Sequence, residues 1–178
     1  MRTRVGYAGG TTENPTYRQL GNHSETIQID YDPTKITYQA LLDIFWEGHN
    51  PTWPSASPQY ASRIFYHTEE QREQAVESKE RQAAQCDCQI HTEIVPLDEF
   101  YLAEDYHQKY RLKQSTLFAD QFNAMYPDED DLIDSTAAAR VNGYLAGYGT
   151  LADLQEDLGE LGLSPAAQDR LVAIFRRR

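Results

Sequence analysis

Gly6-Tyr-Ala-Gly-Gly-Thr-Thr-Glu-Asn-Pro-Thr-Tyr17, followed by Gly21-Asn-His-Ser-Glu25 and Thr26-Ile-Gln-Ile-Asp-Tyr-Asp-Pro33, is the stretch on which the fold turns. The first block reads as a glycine-rich turn region carrying two tyrosines. Gly9-Gly10 permits backbone angles closed to other residues, and Asn14-Pro15 biases the chain toward a turn that aims Tyr17. The second block sets a carboxylate, Glu25, just before a short alternating strand. Ile27 and Ile29 share one face of that strand, Gln28 and Asp30 the other. This layout can bring a phenol and a carboxylic acid to one end of a sheet, close to an apolar floor. The same residues also read as a surface tyrosine in a turn and a solvated glutamate.

Beyond this stretch the chain alternates helices and strands. Thr37 is the N-cap of a predicted helix running to about Gly48, with Leu41, Leu42, Phe45 and Trp46 on its apolar face. Three prolines between Pro51 and Pro58 exclude helix and central strand, so this loop delivers Gln59-Tyr60 to a second strand near 61–66. Thr68-Glu-Glu-Gln71 reads as a capping box opening a polar surface helix to about Gln85. A third strand, near 89–95, ends at Pro96. Strands joined by helical crossovers imply helices packed on a mixed sheet. After Leu112 the pattern is helical. Ser115–Met125 forms one helix, 127–131 an acidic turn, and Ser135, Thr150 and Ser164 cap three more, the last with Pro165 at its first position.

At 178 residues the chain fits one domain with an appended subdomain. Its net charge of −12 argues against binding nucleic acid through phosphate neutralisation. There is no apolar run of transmembrane length, and a cytoplasmic monomer away from membranes is expected. Cys86 and Cys88 are too close together to form a disulfide framework and read as ordinary thiols at a helix-to-strand junction. A redox role is the alternative. A zinc site with His91 would need a fourth ligand that the sequence does not nominate, so no metal is expected.

The ordered set Val5–Tyr17, His23-Ser-Glu25, Tyr31-Asp-Pro33, Phe45-Trp46, His49-Asn-Pro51, Gln59-Tyr60, Ile64-Phe-Tyr66 and Ala103–Gln108 resembles the A-type peptide methionine sulfoxide reductases, over residues 2–112. The resemblance implies an α+β fold, a ferredoxin-like α/β plait with a mixed sheet. Residues 1–112 would form the reductase-like domain, without the family's first strand, and residues 113–178 a helical C-terminal extension. It also implies that Glu25 is the acid to the sulfoxide oxygen and that Tyr17 and Tyr60 are substrate-binding donors. The substrate would be oxidised methionine, in proteins or free, with thioredoxin as external reductant and no bound cofactor.

Sulfoxide reduction needs a nucleophile on sulfur and an acid on oxygen. The family carries its nucleophile in a Gly-Cys-Phe-Trp-Gly motif that these 178 residues do not contain. Phe45-Trp46 falls mid-helix at core spacing and does not replace it. The loop 52–58 also lacks an acid the family places before its second tyrosine, and Leu20 stands near where a cysteine often follows the first. Three expectations follow, in this order: an N-terminally truncated reductase, inactive as written; a non-catalytic sulfoxide- or protein-binding module; and catalysis taken over by Cys86 or Cys88.

Overall fold

The turn region read from Gly6 begins with strand residues instead. A computed structural model describes residues 1–177, and in it β1 spans Arg2–Ala8. Tyr7 and Ala8 are buried, and the turn begins only at Gly9. β2 (Ser24–Asp30) follows, then α1 (Tyr38–Glu47), β3 (Arg63–Tyr66), α2 (Glu69–Cys86), β4 (Glu93–Pro96) and β5 (Phe100–Leu102). The helices α3 (Tyr110–Lys113), α4 (Thr116–Met125), α5 (Glu129–Asp134), α6 (Thr136–Ala146), α7 (Leu151–Asp157) and α8 (Pro165–Phe175) complete the described chain. The α+β class holds. The expected single mixed sheet appears as two: a three-stranded sheet in the order β2-β1-β5 and a parallel pair β3-β4. β1 and β5 run antiparallel with Tyr7 opposite Tyr101, and β3 meets β4 with Arg63 opposite Glu93. Among the described residues, no helix is long and apolar enough to cross a membrane.

Helix starts follow the capping residues. Thr37, Ser135 and Ser164 each accept the backbone N–H three residues on, satisfying a donor that the first turn leaves without a partner. Thr150 and Asp153 form a complete reciprocal box. At Thr68 the box is altered. The hydroxyl accepts from Gln71 N–H as expected, but the Gln71 amide oxygen accepts from His67 rather than from Thr68. The acidic 127–131 segment is also more than a turn. Asp128 caps α5, and Glu129, Asp130 and Asp131 occupy its first turn, where the helix dipole favours negative charge.

The chain divides into two compact units. One comprises Val5–Ile27 and Tyr31–Ala103. Its main apolar cluster joins Leu42 and Trp46 of α1 to Ile64 of β3, Ala75 of α2 and Ile90. Trp46 is therefore a core residue, as its spacing indicated, and its indole N–H donates to the buried Ser78 hydroxyl at 3.0 Å. A smaller cluster gathers Tyr7, Leu20 and Ala103.

The other unit comprises Met1–Arg4, Gln28–Asp30 and the chain from Glu104 onward. Leu112, Phe118, Phe122, Val141, Leu154 and Leu171 are fully buried in its single apolar core. At its edge, Arg4 pairs with Asp134 at 2.7 Å and Asp30 at 3.0 Å, and Arg2 pairs with the same two carboxylates. The hydrogen bond and charge of Arg4 hold the Asp134 carboxyl below the usual carboxylate range. Lys109 is buried in this unit, donates to the Thr3 carbonyl, and is lowered to about 8 by desolvation.

Candidate functional site

The glycine-rich loop is built around His23, which is 1% exposed. Its Nδ1 accepts from Gly10 N–H at 3.0 Å, which leaves Nε2–H to donate to the Thr12 carbonyl at 2.9 Å. The neutral Nε2–H tautomer satisfies both bonds. Gly9 takes φ 77°, where glycine alone is unstrained, and a Cβ on Gly10 would lie 2.5 Å from the His23 ring. Asn22 fixes the next step by accepting Thr11 N–H at 2.9 Å. Asn14 adopts a left-handed conformation at φ 47°, and Thr16 and Gln19 close a turn through a 2.9 Å backbone bond. Tyr17 lies within that turn and is 43% exposed.

Glu25 follows one residue after the buried Ser24. Its carboxylate accepts from the Gln59 side-chain amide at 2.7 Å. Gln59 belongs to the short 3₁₀ turn Pro58–Tyr60, whose N-terminal carbonyl, on Pro58, accepts from the Ser24 hydroxyl at 2.9 Å. Ser24 in turn accepts from Arg63 Nη1 at 2.9 Å, and Arg63 Nε pairs with Glu93 at 2.7 Å. Two successive residues of β2 are thus tied to the turn that carries Tyr60. The geometry brings Glu25 to the Gln59-Tyr60 segment and leaves both Glu25 and Tyr60 open to solvent.

The floor of this site is not the one that periodicity suggested. Ile27 shares its strand face with Glu25 and is 57% exposed. The alternate positions Ser24, Thr26 and Gln28 face inward to varying degrees. Gln28 accepts from Arg4, a residue of the adjacent strand β1. Sequence reading also gave no roles to His23, Ser24, Gln59 or Arg63. The available signal was an arginine opening an otherwise apolar four-residue strand, Arg63-Ile-Phe-Tyr66, where an inward guanidinium needs polar partners.

The cysteines differ from expectation. Cys86 and Cys88, read as ordinary thiols, are joined in a disulfide, so neither stands as a thiolate to ligate zinc. Their position at the junction after a helix is as expected. Cys86 ends α2, and Asp87 caps it in the left-handed conformation at φ 49°. Among the described residues, no group of three or more His, Cys, Asp or Glu side chains is arranged to hold a metal.

Glu25 on β2 is thus held to the turn that carries Tyr60 through Gln59. The family model for peptide methionine sulfoxide reductase matches residues 1–139. The chain is 44% identical over 172 residues to a peptide methionine sulfoxide reductase of Drosophila melanogaster, covering 93% of this chain and 67% of that one. It is 41% identical over 152 residues to peptide methionine sulfoxide reductase A5 of Arabidopsis thaliana, covering 82% of this chain and 59% of the relative. Among solved structures, methionine sulfoxide reductase A of Corynebacterium diphtheriae superposes with a TM-score of 0.56 at 37% identity, over 65% of this chain and 64% of that one. The chain belongs to the peptide methionine sulfoxide reductase family. It spans between about three fifths and two thirds of the length of these three relatives. The likeness also extends past Leu112, beyond the ordered motifs of residues 2–112.

Proposed function

We propose that this chain carries the oxygen-binding side of a methionine sulfoxide reductase site. Glu25 acts as the acid to the sulfoxide oxygen, and Tyr17 and Tyr60 are the hydrogen-bonding donors that hold it. The observation that supports this reading is the bond from Gln59 to Glu25, which ties the carboxylate to the turn Pro58–Tyr60. Membership of the family supports it, and so does the Gly9-Gly10 loop locked on His23, which gives the Tyr17 turn a fixed start. A sulfoxide is strongly polarised, so a proton donor and phenols aimed at its oxygen stabilise the charge that develops there as the S–O bond breaks.

The attacking thiolate is the part these 178 residues do not supply. Cys86 and Cys88 are bonded to each other, and the Gly-Cys-Phe-Trp-Gly motif does not occur among them. In this reading the chain alone binds oxidised methionine, in proteins or free, without reducing it. With a nucleophile in place, the sulfur is attacked, the oxygen leaves on the thiolate sulfur as a sulfenic acid, and a thioredoxin-class dithiol restores the thiol and releases water. No bound cofactor takes part in these steps.

Turnover of a peptide methionine S-sulfoxide tests the reading when measured on the 178-residue chain and on the same chain preceded by a strand with the Gly-Cys-Phe-Trp-Gly motif. The expected result is no turnover for the first, turnover for the second, and a loss of about 10²–10⁴-fold in the second on Glu25→Gln. Turnover by the 178-residue chain that disappears on Cys86→Ser would overturn it in favour of a substitute nucleophile. Binding of the sulfoxide by both, with turnover by neither, would identify a binding module instead.

A further inference from the structure

The Cys86–Cys88 disulfide lies outside the residues assigned to the sulfoxide. It joins cysteines two positions apart, with Cα atoms 5.1 Å apart, across the left-handed Asp87. A link closing so short a loop removes little entropy from the unfolded chain and so adds little as a staple. Its setting favours chemistry instead. Cys86 is exposed, and the half-buried Cys88 lines a groove of about 510 Å³ with Val76, Ala83, Ile90 and Ile94. Lys79 and Glu80 line the same groove. Lys79 donates to the Thr92 carbonyl at 2.6 Å.

We propose that Cys86–Cys88 is a dithiol–disulfide exchange site that takes electrons from an external dithiol and passes them to the disulfide of another molecule. A thiolate of the donor attacks Sγ of Cys86, the more exposed of the two residues. The Cys86–Cys88 bond breaks, a mixed disulfide forms on Cys86, and Cys88 leaves as a thiolate that takes a proton from solvent. The donor's second thiolate then attacks its own sulfur in the mixed disulfide, closing the donor disulfide and releasing Cys86, which is protonated in turn. Two electrons and two protons have moved from the donor to the pair. The same steps in reverse, on a foreign disulfide, reoxidise it. This site and the Glu25 site do not depend on one another.

The test equilibrates the native 178-residue chain in buffers of graded reduced and oxidised dithiothreitol, quenches in acid, alkylates and weighs the products. The expected result is a reversible two-thiol transition without denaturant and without a one-thiol species. The reduced chain, freed of dithiothreitol, should then convert one equivalent of glutathione disulfide to two of glutathione. With Cys88→Ser, a glutathione adduct should persist on Cys86. With Cys86→Ser, the adduct on Cys88 should form at least about tenfold more slowly, because that sulfur is less accessible. A pair reducible only after unfolding, or one that stays as two free thiols in oxidised dithiothreitol, overturns the proposal. Equal adduct rates in the two variants overturn the assignment of Cys86 as the attacked sulfur.

Discussion

The two units solve different problems with different chemistry. The helical unit buries Phe118, Phe122, Leu132, Val141, Leu154 and Leu171 in one dry core. The unit that holds Glu25 has smaller apolar clusters and relies on polar bonds, with His23 spanning Gly10 and Thr12 and the relay Arg63–Ser24–Pro58 bracing the site turn. Apolar burial is non-directional and supplies stability, whereas hydrogen bonds add modestly to stability but fix geometry. The unit that holds Glu25 is thus built for position and the helical unit for burial.

The largest effect that probes this contrast is expected at Phe122. Phe122→Ala removes a fully buried ring and should lower stability by about 3–5 kcal/mol in urea denaturation. A loss under about 1 kcal/mol would mean that the helical core is loose and the contrast false.

Lys109 tests the same dry unit from the electrostatic side. Burial lowers it from 10.5 to about 8. Below pH 8 the folded state keeps a charged, desolvated ammonium, and the destabilisation is fully present. Between pH 8 and 10.5 the unfolded chain binds a proton that the folded chain has released, so stability rises with pH through that window. The difference corresponds to at most about 3 kcal/mol. Lys109→Met should therefore gain on the wild type at pH 7.5, and that gain should shrink by pH 10.5. A gap that is flat with pH would place Lys109 in contact with water.

Gly10→Ala is the smaller probe, in the polar unit. The added methyl meets the His23 ring and should cost about 1–3 kcal/mol, with sulfoxide binding weakened alongside. Unchanged stability would show that the loop yields and is not the fixed frame described above.

What could be read from the sequence divides along local and non-local lines. The helix starts at Thr37, Ser135, Thr150 and Ser164 were legible because each cap is a bond between residues three apart. The α+β class and the family followed from ordered motifs. β1 was missed because its glycine and alternating arginines resemble a turn until a partner strand pairs with it. The inward face of β2 was misjudged because periodicity tells which residues share a face, not which face is covered. Arg4 on the neighbouring strand draws in Gln28 and Asp30, and Ile27 is left outside. The motifs named Glu25, Tyr17 and Tyr60, but Ser24, Gln59 and Arg63 gain their parts only when residues 34 to 39 positions apart meet. The reading of Cys86 and Cys88 as ordinary thiols was wrong, because spacing carries no information on how the chain turns at Asp87.

Calorimetric titration of a methionine S-sulfoxide peptide into the 178-residue chain and into its Glu25→Ala form bears directly on the role given to this carboxyl. Saturable binding by the first is predicted, weakened at least about tenfold in the second, or about 1.4 kcal/mol. Equal affinity of the two forms, or no binding by the unaltered chain, would contradict the assignment of Glu25 to the sulfoxide oxygen.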